Sequence, residues 1–247
     1  ILPDFWVFVD CSFSITLHYT MSVSDIIQIV LAFLTLIGVI VALITTSWSI
    51  RAQNKQSLFE KRLEIFVLCK TFYELVDENI EHLDIKPEKN YPLSISLEFS
   101  WITNSDYFEK SPRLINDVYN EEYRYRFLQK LEDLNTLSEK CALLFKGASS
   151  TALQVFIASY RDAIRSMYGY QVLVERMRDD PIEKMKKDAV VAGITKMAPK
   201  TAKQLCESYG EPKHQKELLK KIDALKESFE YLKKNNSLEK IKKQLTL

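Results

Sequence analysis

Side chains that often take part in catalysis or metal binding are few in this sequence and lie far apart. His82 follows Glu78 by one helical turn, so a helix would bring an imidazole and a carboxylate to one face. Di-metal helical bundles need paired Glu-x-x-His motifs on facing helices, whereas residue 79 is Asn79 and no second copy exists. We interpret the pair as a solvated polar face and expect no metal and no cofactor.

Sequence signatures of nucleotide-binding and hydrolytic enzymes are absent. GxxxxGK[ST], GxGxxG, GxSxG and HExxH do not occur, and five glycines provide little material for a phosphate-binding loop. His214 lacks an arginine four to six residues before it, so the Arg-to-His spacing of helical-bundle HEPN ribonucleases is missing. We predict no catalytic residue. A cryptic enzyme acting on nucleic acid or nucleotide, with a site built from scattered residues, remains an alternative hypothesis.

Aromatic and basic side chains alternate at Tyr123, Arg124, Tyr125 and Arg126, a mixture found in single-strand binding surfaces. Neighbours on a helix point in different directions, so we interpret these residues as core tyrosines beside solvated arginines. The formal net charge of +1 gives no global field that would attract nucleic acid, and no nucleic acid partner is expected.

The four cysteines, Cys11, Cys69, Cys141 and Cys206, are widely dispersed and form no CxxC pair. Secreted disulfide frameworks and zinc ribbons show closer, regular spacing. Reduced, mostly buried thiols are therefore expected.

The most informative element is the run from Ile26 to Trp48, 23 residues without a charge. As a helix it would be about 34 Å long, enough to cross a bilayer core of about 30 Å. Asp25 and Arg51 flank it, and Trp48 occupies the place of an interfacial aromatic. We predict a transmembrane helix, the alternative being a buried helix of a soluble protein.

Positive charges lie on one side of this span. Residues 1–25 contain no Lys or Arg, whereas Arg51, Lys55, Lys61 and Arg62 follow it closely. Because positive residues stay on the cytoplasmic side, we expect the N-terminus outside and residues 49–247 in the cytoplasm. The four cations are also expected to contact anionic lipid head groups. The alternative is that they are an ordinary flank that stops translocation, and both can hold at once.

Two further features of the N-terminal part lead to expectations. Residues 1–20 are either an upstream extension before a natural start at Met21 or a short hydrophobic segment that packs against the membrane. Within the span, Gly38, Ala42 and Thr46 recur at every fourth residue, and small residues at that spacing let helix backbones approach closely. This face is a candidate for self-association.

With 5 Gly and 7 Pro in 247 residues and a helical periodicity after the span, we predict an all-α cytosolic bundle. Residues 49–83 continue the membrane helix or start a new one. In the insertion 84–113, apolar residues alternate with polar ones over 93–101, which predicts a short strand or extended segment near 93–102, or else a covering loop. This aromatic insertion is either a recognition surface or a packed connector.

Further helices are predicted from about 112 to 120, 121 to 146, 181 to 196 and 199 to 210. The helix after Gly147 would be capped by Ser149, Ser150 or Thr151. The basic tail 211–247 has ten Lys against six acidic residues and a 4-3-4-3 apolar seam, typical of a coiled coil, which offers a second route to oligomers. The seam comprises Leu218, Ile222, Leu225, Phe229 and Leu232.

The segment SIRAQNKQSLFEKRLEIF after the span resembles the beginning of uncharacterised bacterial single-pass membrane proteins. In these proteins an N-terminal anchor leads into a charged juxtamembrane helix with a similar Lys-Arg-x-x-Ile-aromatic ending. The resemblance covers residues 21–75. It implies a bacterial inner-membrane location and transfers no active site.

Three functions are compatible with these features. The first is a membrane-anchored helical protein that binds a protein partner, as scaffold, regulator or effector. The second is an oligomeric, membrane-disrupting effector in which clustering of the anchor is decisive. The third is the cryptic enzyme.

Overall fold

The computed structural model describes residues 22–87, 91–109, 111–191 and 200–245, and these contain helices and no strand. The predicted all-α class is thereby confirmed. Residues 1–21, which include Cys11, lie outside the described part. The two interpretations of residues 1–20 therefore stay predictions. The helices are α1 (Val23–Asn79), α2 (Ser96–Ile102), α3 (Glu121–Leu144), α4 (Ala148–Arg178), α5 (Pro181–Val191), α6 (Ala202–Tyr209), α7 (Glu211–Lys234) and α8 (Ser237–Lys242), with 3₁₀ turns at Ile80–Leu83 and Ser111–Ile115.

The chain divides into two compact units, Ile1–Lys55 and Gln56–Leu247. Of the two possibilities for residues 49–83, the structure shows the continuous one, because α1 runs without a break from Val23 to Asn79. Its N-terminus is closed by reciprocal bonds: the Ser22 N–H donates to Asp25 Oδ2 at 3.0 Å, and the Asp25 N–H donates to Ser22 Oγ at 3.3 Å.

In the second unit α4 is the central helix and packs against α3, α7 and α8. Fully buried Phe72 of α1 meets Tyr160 of α4, whose ring centroid lies 5.0 Å away, and Tyr107, whose centroid lies 5.1 Å away. The Tyr160 hydroxyl donates to the carbonyl oxygen of Ile102. The aromatic core therefore ties α1, α4 and the 84–113 insertion together.

The extended segment predicted near 93–102 is wrong, because residues 96–102 form α2. The apparent period of two arises from two elements. Leu93 and Ile95 are buried in the non-helical stretch before α2, and Phe99 and Ile102, three residues apart, are buried on one face of the helix. The insertion thus packs on the core through these four side chains.

Helix ends follow local chemistry only in part. Asp180 Oδ1 accepts from the N–H groups of Ile182 at 2.9 Å and Glu183 at 3.2 Å, so the predicted helix start at Pro181 is confirmed. The predicted end of this helix near Lys196 lies outside the described residues. The predicted serine or threonine cap of α4 is wrong: the helix begins at Ala148 after Gly147, which has φ of +80°.

The apolar seam of α7 is buried inside the second unit. Leu218, Ile222, Leu225, Phe229 and Leu232 are each at most 2% exposed. The seam therefore packs against helices of the same chain, above all α4, and offers no surface to a second copy. The second route to oligomers is excluded for this face.

Candidate anchor and interaction surfaces

The first unit presents an unbroken apolar surface. The helix that starts at Val23 is the one helix in the described ranges that is long and apolar enough to cross a membrane. Its most apolar 18-residue window has a mean hydropathy of 2.9, and none of that window is buried. The apolar side chains from Ile26 to Trp48 are thus exposed, which water would penalise and lipid would not.

Two threonine hydroxyls within the span are satisfied by the helix itself. The Thr45 hydroxyl donates to the carbonyl oxygens of Val41 at 2.9 Å and Ala42 at 3.0 Å, and the Thr35 hydroxyl donates to that of Ala32 at 2.8 Å. A hydroxyl bonded in this way costs little in hydrocarbon.

The small-residue face of the span is open. Gly38, Ala42 and Thr46 are all exposed, and a Cβ built on Gly38 would meet no atom within 4 Å. Nothing in the described part of the first unit occupies this face.

The four basic residues after the span fall into two classes. Arg51, Lys55 and Lys61 are exposed, as lipid-contacting cations would be. Arg62 differs from that expectation, because its guanidinium is committed to the protein. Nε donates to the carbonyl oxygen of Leu144 at 2.9 Å, and a terminal nitrogen donates to that of Gln244 at 3.1 Å.

These bonds gather three distant parts of the second unit. Gln244 completes the junction, because its Oε1 accepts from the Lys146 N–H at 2.8 Å and its Nε2 donates to the Lys146 carbonyl at 2.9 Å. The end of α3, the turn into α4 and the end of the tail are therefore fixed to α1 at Arg62. Carbonyl groups that end a helix are thereby satisfied.

A groove in the second unit lies between α1 and the tail, and we call it the α1–α8 groove. Its volume is about 550 Å³. The apolar floor comprises Leu63, Phe66, Val67, Tyr73, Leu232 and Leu238. The polar edges comprise Lys70, Glu74, Asp77, Lys233, Asn236, Ser237, Glu239 and Lys242.

Charges on the groove edges are largely paired with one another. Lys70 Nζ lies 2.9 Å from Glu74 Oε1, and Lys233 Nζ lies 2.8 Å from Asp77 Oδ1. The Asp77 carboxylate raises the pKa of Lys233. The edges therefore present balanced charge rather than a field of one sign.

Apolar side chains of α1 remain exposed beside and within this groove. Leu58, Phe59, Leu63 and Val67 are between 38% and 53% exposed. Phe59, Leu63 and Val67 recur at every fourth residue and so share one helical stripe. A contiguous apolar stripe with a charged edge is typical of an interaction site.

A second cleft, of about 610 Å³, lies between α4 and α7. Its walls carry many small side chains, among them Ala148, Thr151, Ala152, Ser159 and Ala224. Few large apolar groups are available there to anchor a partner, so this cleft serves as the natural comparison for the α1–α8 groove.

The residues considered for chemistry in the sequence take structural positions. His82 lies with its ring centroid 4.4 Å from that of Trp101. Arg126 pairs with Glu122 at 2.9 Å, and the expected core position of Tyr125 is wrong, since it is 70% exposed. Within the described ranges, no group of three or more His, Cys, Asp and Glu side chains could hold a metal ion.

Sequence reasoning missed one buried polar cluster. Glu211 is 2% exposed, and its carboxylate accepts from the Tyr170 hydroxyl and, at 3.2 Å, from Gln215 Nε2. The Tyr170 oxygen in turn accepts from the Leu93 N–H at 2.8 Å. Burial is the main cause that raises the pKa of Tyr170, and the hydrogen bond to Glu211 raises it further. The cluster joins α4, α7 and the insertion, and its only sequence signal is a glutamate at a helix start.

The chain matches no family model, no curated protein and no solved structure.

Proposed function

We propose that this protein is a single-pass membrane protein of the bacterial inner membrane that acts by binding a protein partner. Residues 26–48 cross the bilayer, the N-terminus lies outside, and the helical bundle after the span lies in the cytoplasm. The exposed, uncharged surface of this helix carries the proposal. The resemblance of residues 21–75 to bacterial anchored proteins and the exposed Arg51, Lys55 and Lys61 support the location and the orientation.

The α1–α8 groove is the binding surface of this proposal. Helix-in-groove recognition uses apolar anchors at spacings of three and four residues, set into an apolar channel. Within the apolar floor, Phe66 and Leu232 are buried, whereas Leu63 and Val67 are half exposed and open to a partner. Because the edge charges are balanced, the partner is an amphipathic helix that docks mainly through its apolar face.

Site-specific photo-crosslinking in membranes tests the partner. A benzophenone amino acid placed at Val67 reports on the groove, and the same group at Val155 reports on the α4–α7 cleft; both valines are half exposed. We expect a discrete protein adduct from position 67 and none from position 155.

A matched pair of variants makes this test specific. Leu63→Asp places a charge in the groove, whereas Leu128→Asp changes a similarly exposed leucine on α3. The adduct should disappear in the first variant and persist in the second, with equal thermal unfolding of both. Equal adducts from both probe positions, an adduct with lipid alone, no adduct, or an adduct indifferent to Leu63→Asp would contradict the proposed partner.

The membrane-disrupting oligomer is the second candidate, favoured by the open face at Gly38 and Ala42. Gly38→Leu with Ala42→Leu would block close helix approach, while Val39→Leu with Val41→Leu would leave it intact. If this function holds, only the first pair abolishes dye release from lipid vesicles and growth arrest on overexpression. Dye release that is unchanged in both pairs of variants would exclude the membrane-disrupting function.

A further inference from the structure

Two thiols meet in the core of the second unit. Cys69 lies on α1 and Cys141 on α3, and both are fully buried. Their Sγ atoms are 3.4 Å apart, although 72 residues separate them in the sequence. Cys206 is on α6.

The position of Cys141 is fixed by its backbone. Its carbonyl oxygen accepts from the Ser150 hydroxyl at 2.8 Å and from the Phe145 N–H at 3.3 Å, at the turn from α3 into α4. Cys69 lies three residues from both Phe66 and Phe72 along α1, and all three side chains are buried. The fold therefore keeps the thiols together at a high effective concentration.

We propose that Cys69 and Cys141 are a site of reversible oxidation that forms an intrachain disulfide between α1 and α3. A small-molecule disulfide such as oxidised glutathione is the oxidant. One protein thiolate attacks it and releases one glutathione thiol, and the second protein thiol then displaces the other. The protein pair loses two electrons and two protons, and one disulfide becomes two glutathione thiols.

Burial controls the rate of this exchange. It raises the pKa of the Cys69 thiol, and Cys141 adds to that effect, so the attacking thiolate is scarce in the closed structure. The oxidant reaches the pair when α1 opens locally from the core. Oxidation is therefore slow, and the finished disulfide is shielded from reductant once α1 closes.

The bond would fasten α1 to the rest of the second unit. Closing a loop of this size restricts the unfolded chain, and the melting temperature of the second unit should rise by roughly 5–15 °C. Reduction would remove this increase.

Equilibration of the full chain, in detergent, with buffers of oxidised and reduced glutathione tests the site. Alkylation of Cys69 in a parallel sample without oxidant measures the opening time and sets the incubation. Peptide mass analysis should find a Cys69–Cys141 link. The equilibrium constant for forming this disulfide by exchange with glutathione should be about 100-fold larger in the folded chain than in denaturant.

Single substitutions provide the controls. Cys69→Ser and Cys141→Ser should abolish the link and the rise in melting temperature, whereas Cys206→Ser should change neither. The proposal is overturned if Cys69 becomes alkylated in the parallel sample while no link forms. It is equally overturned if the link is no more favourable than in the denatured chain, or joins Cys206 instead.

Discussion

The guanidinium Nε of Arg62 donates a hydrogen bond to the carbonyl oxygen of Leu144 at 2.9 Å, across 82 positions of the sequence. A second bond to the Gln244 carbonyl joins the tail to the same point. A cation expected at lipid head groups is thus part of the framework of the helical unit, whereas Arg51, Lys55 and Lys61 are exposed.

Replacing Arg62 should weaken this junction. Arg62→Ala removes two charge-assisted bonds and should lower the free energy of unfolding by about 2 kcal/mol. Arg62→Lys keeps the charge but cannot serve both carbonyls with one planar fork, so it should restore less than half of the loss. Denaturant unfolding measures these free energies, and Lys61→Ala, at an exposed position, is the control. Equal effects at residues 61 and 62 would show that the carbonyl bonds do not contribute.

Truncating the α7 seam should cost stability and leave the oligomeric state unchanged. Phe229→Ala removes a fully buried ring that lies 4.9 Å, between centroids, from Tyr73. The expected loss is about 3–5 kcal/mol. Tyr231→Ala, at an exposed position, should cost under about 0.5 kcal/mol. Unfolding and light scattering check both; a change of oligomer mass in Phe229→Ala with little loss of stability would place the seam between chains.

The Tyr170 hydroxyl is expected to stabilise the buried Glu211. Tyr170→Phe leaves this carboxylate without one donor and the Leu93 N–H without its acceptor, which should cost about 2–3 kcal/mol near neutral pH. Tyr125→Phe, at an exposed ring, is the control. Because the pKa of Tyr170 is raised in the folded state, this part of the stability is complete below the unfolded tyrosine pKa of about 10 and falls at higher pH. A loss equal to that of Tyr125→Phe would contradict the bond.

Asp162 should give a measurable acid dependence. Burial opposes its ionisation, but hydrogen bonds from Arg161 and from Lys221, at 3.0 Å, lower its pKa overall. Its contribution is therefore present above the unfolded aspartate pKa of about 3.9 and is lost as pH falls through the folded pKa. Since solvent screens this half-exposed group, Asp162→Asn should cost at most about 1 kcal/mol at pH 7.

The pH profile of melting temperature provides the check. Asp162→Asn should melt below the wild type at pH 7, and the two should converge in acid. Asp223→Asn, at an exposed position on α7, should follow the wild type throughout. A constant difference between Asp162→Asn and the wild type at every pH would exclude the charge as its cause.

Local sequence patterns predicted the helices well. The helix over about 121–146 and the helix start at Pro181 could be predicted because caps and periodicity act over a few residues. The alternation over 93–101 misled because a buried coil and one helical face together imitate a strand.

Contacts between distant parts of the chain could not be predicted from local sequence patterns. A seam like that of α7 shows that one face is buried but not whether the same chain or a second copy covers it. The partners of Arg62 lie 82 and 182 positions away, and no spacing rule connects them. The hydroxyl of Ser150, expected as a helix cap, binds the Cys141 carbonyl because the α3–α4 turn brings it there.

Alkaline carbonate extraction of membranes tests the central claim most directly. The full chain should remain in the membrane pellet. Leu36→Asp with Ile40→Asp should move it to the soluble fraction, because each carboxylate at the centre of a span costs about 2.5–3.5 kcal/mol. Leu97→Asp with Leu128→Asp, at exposed positions of the second unit, should stay in the pellet. Extraction of the wild type by carbonate, or retention of the first pair, would contradict the anchor.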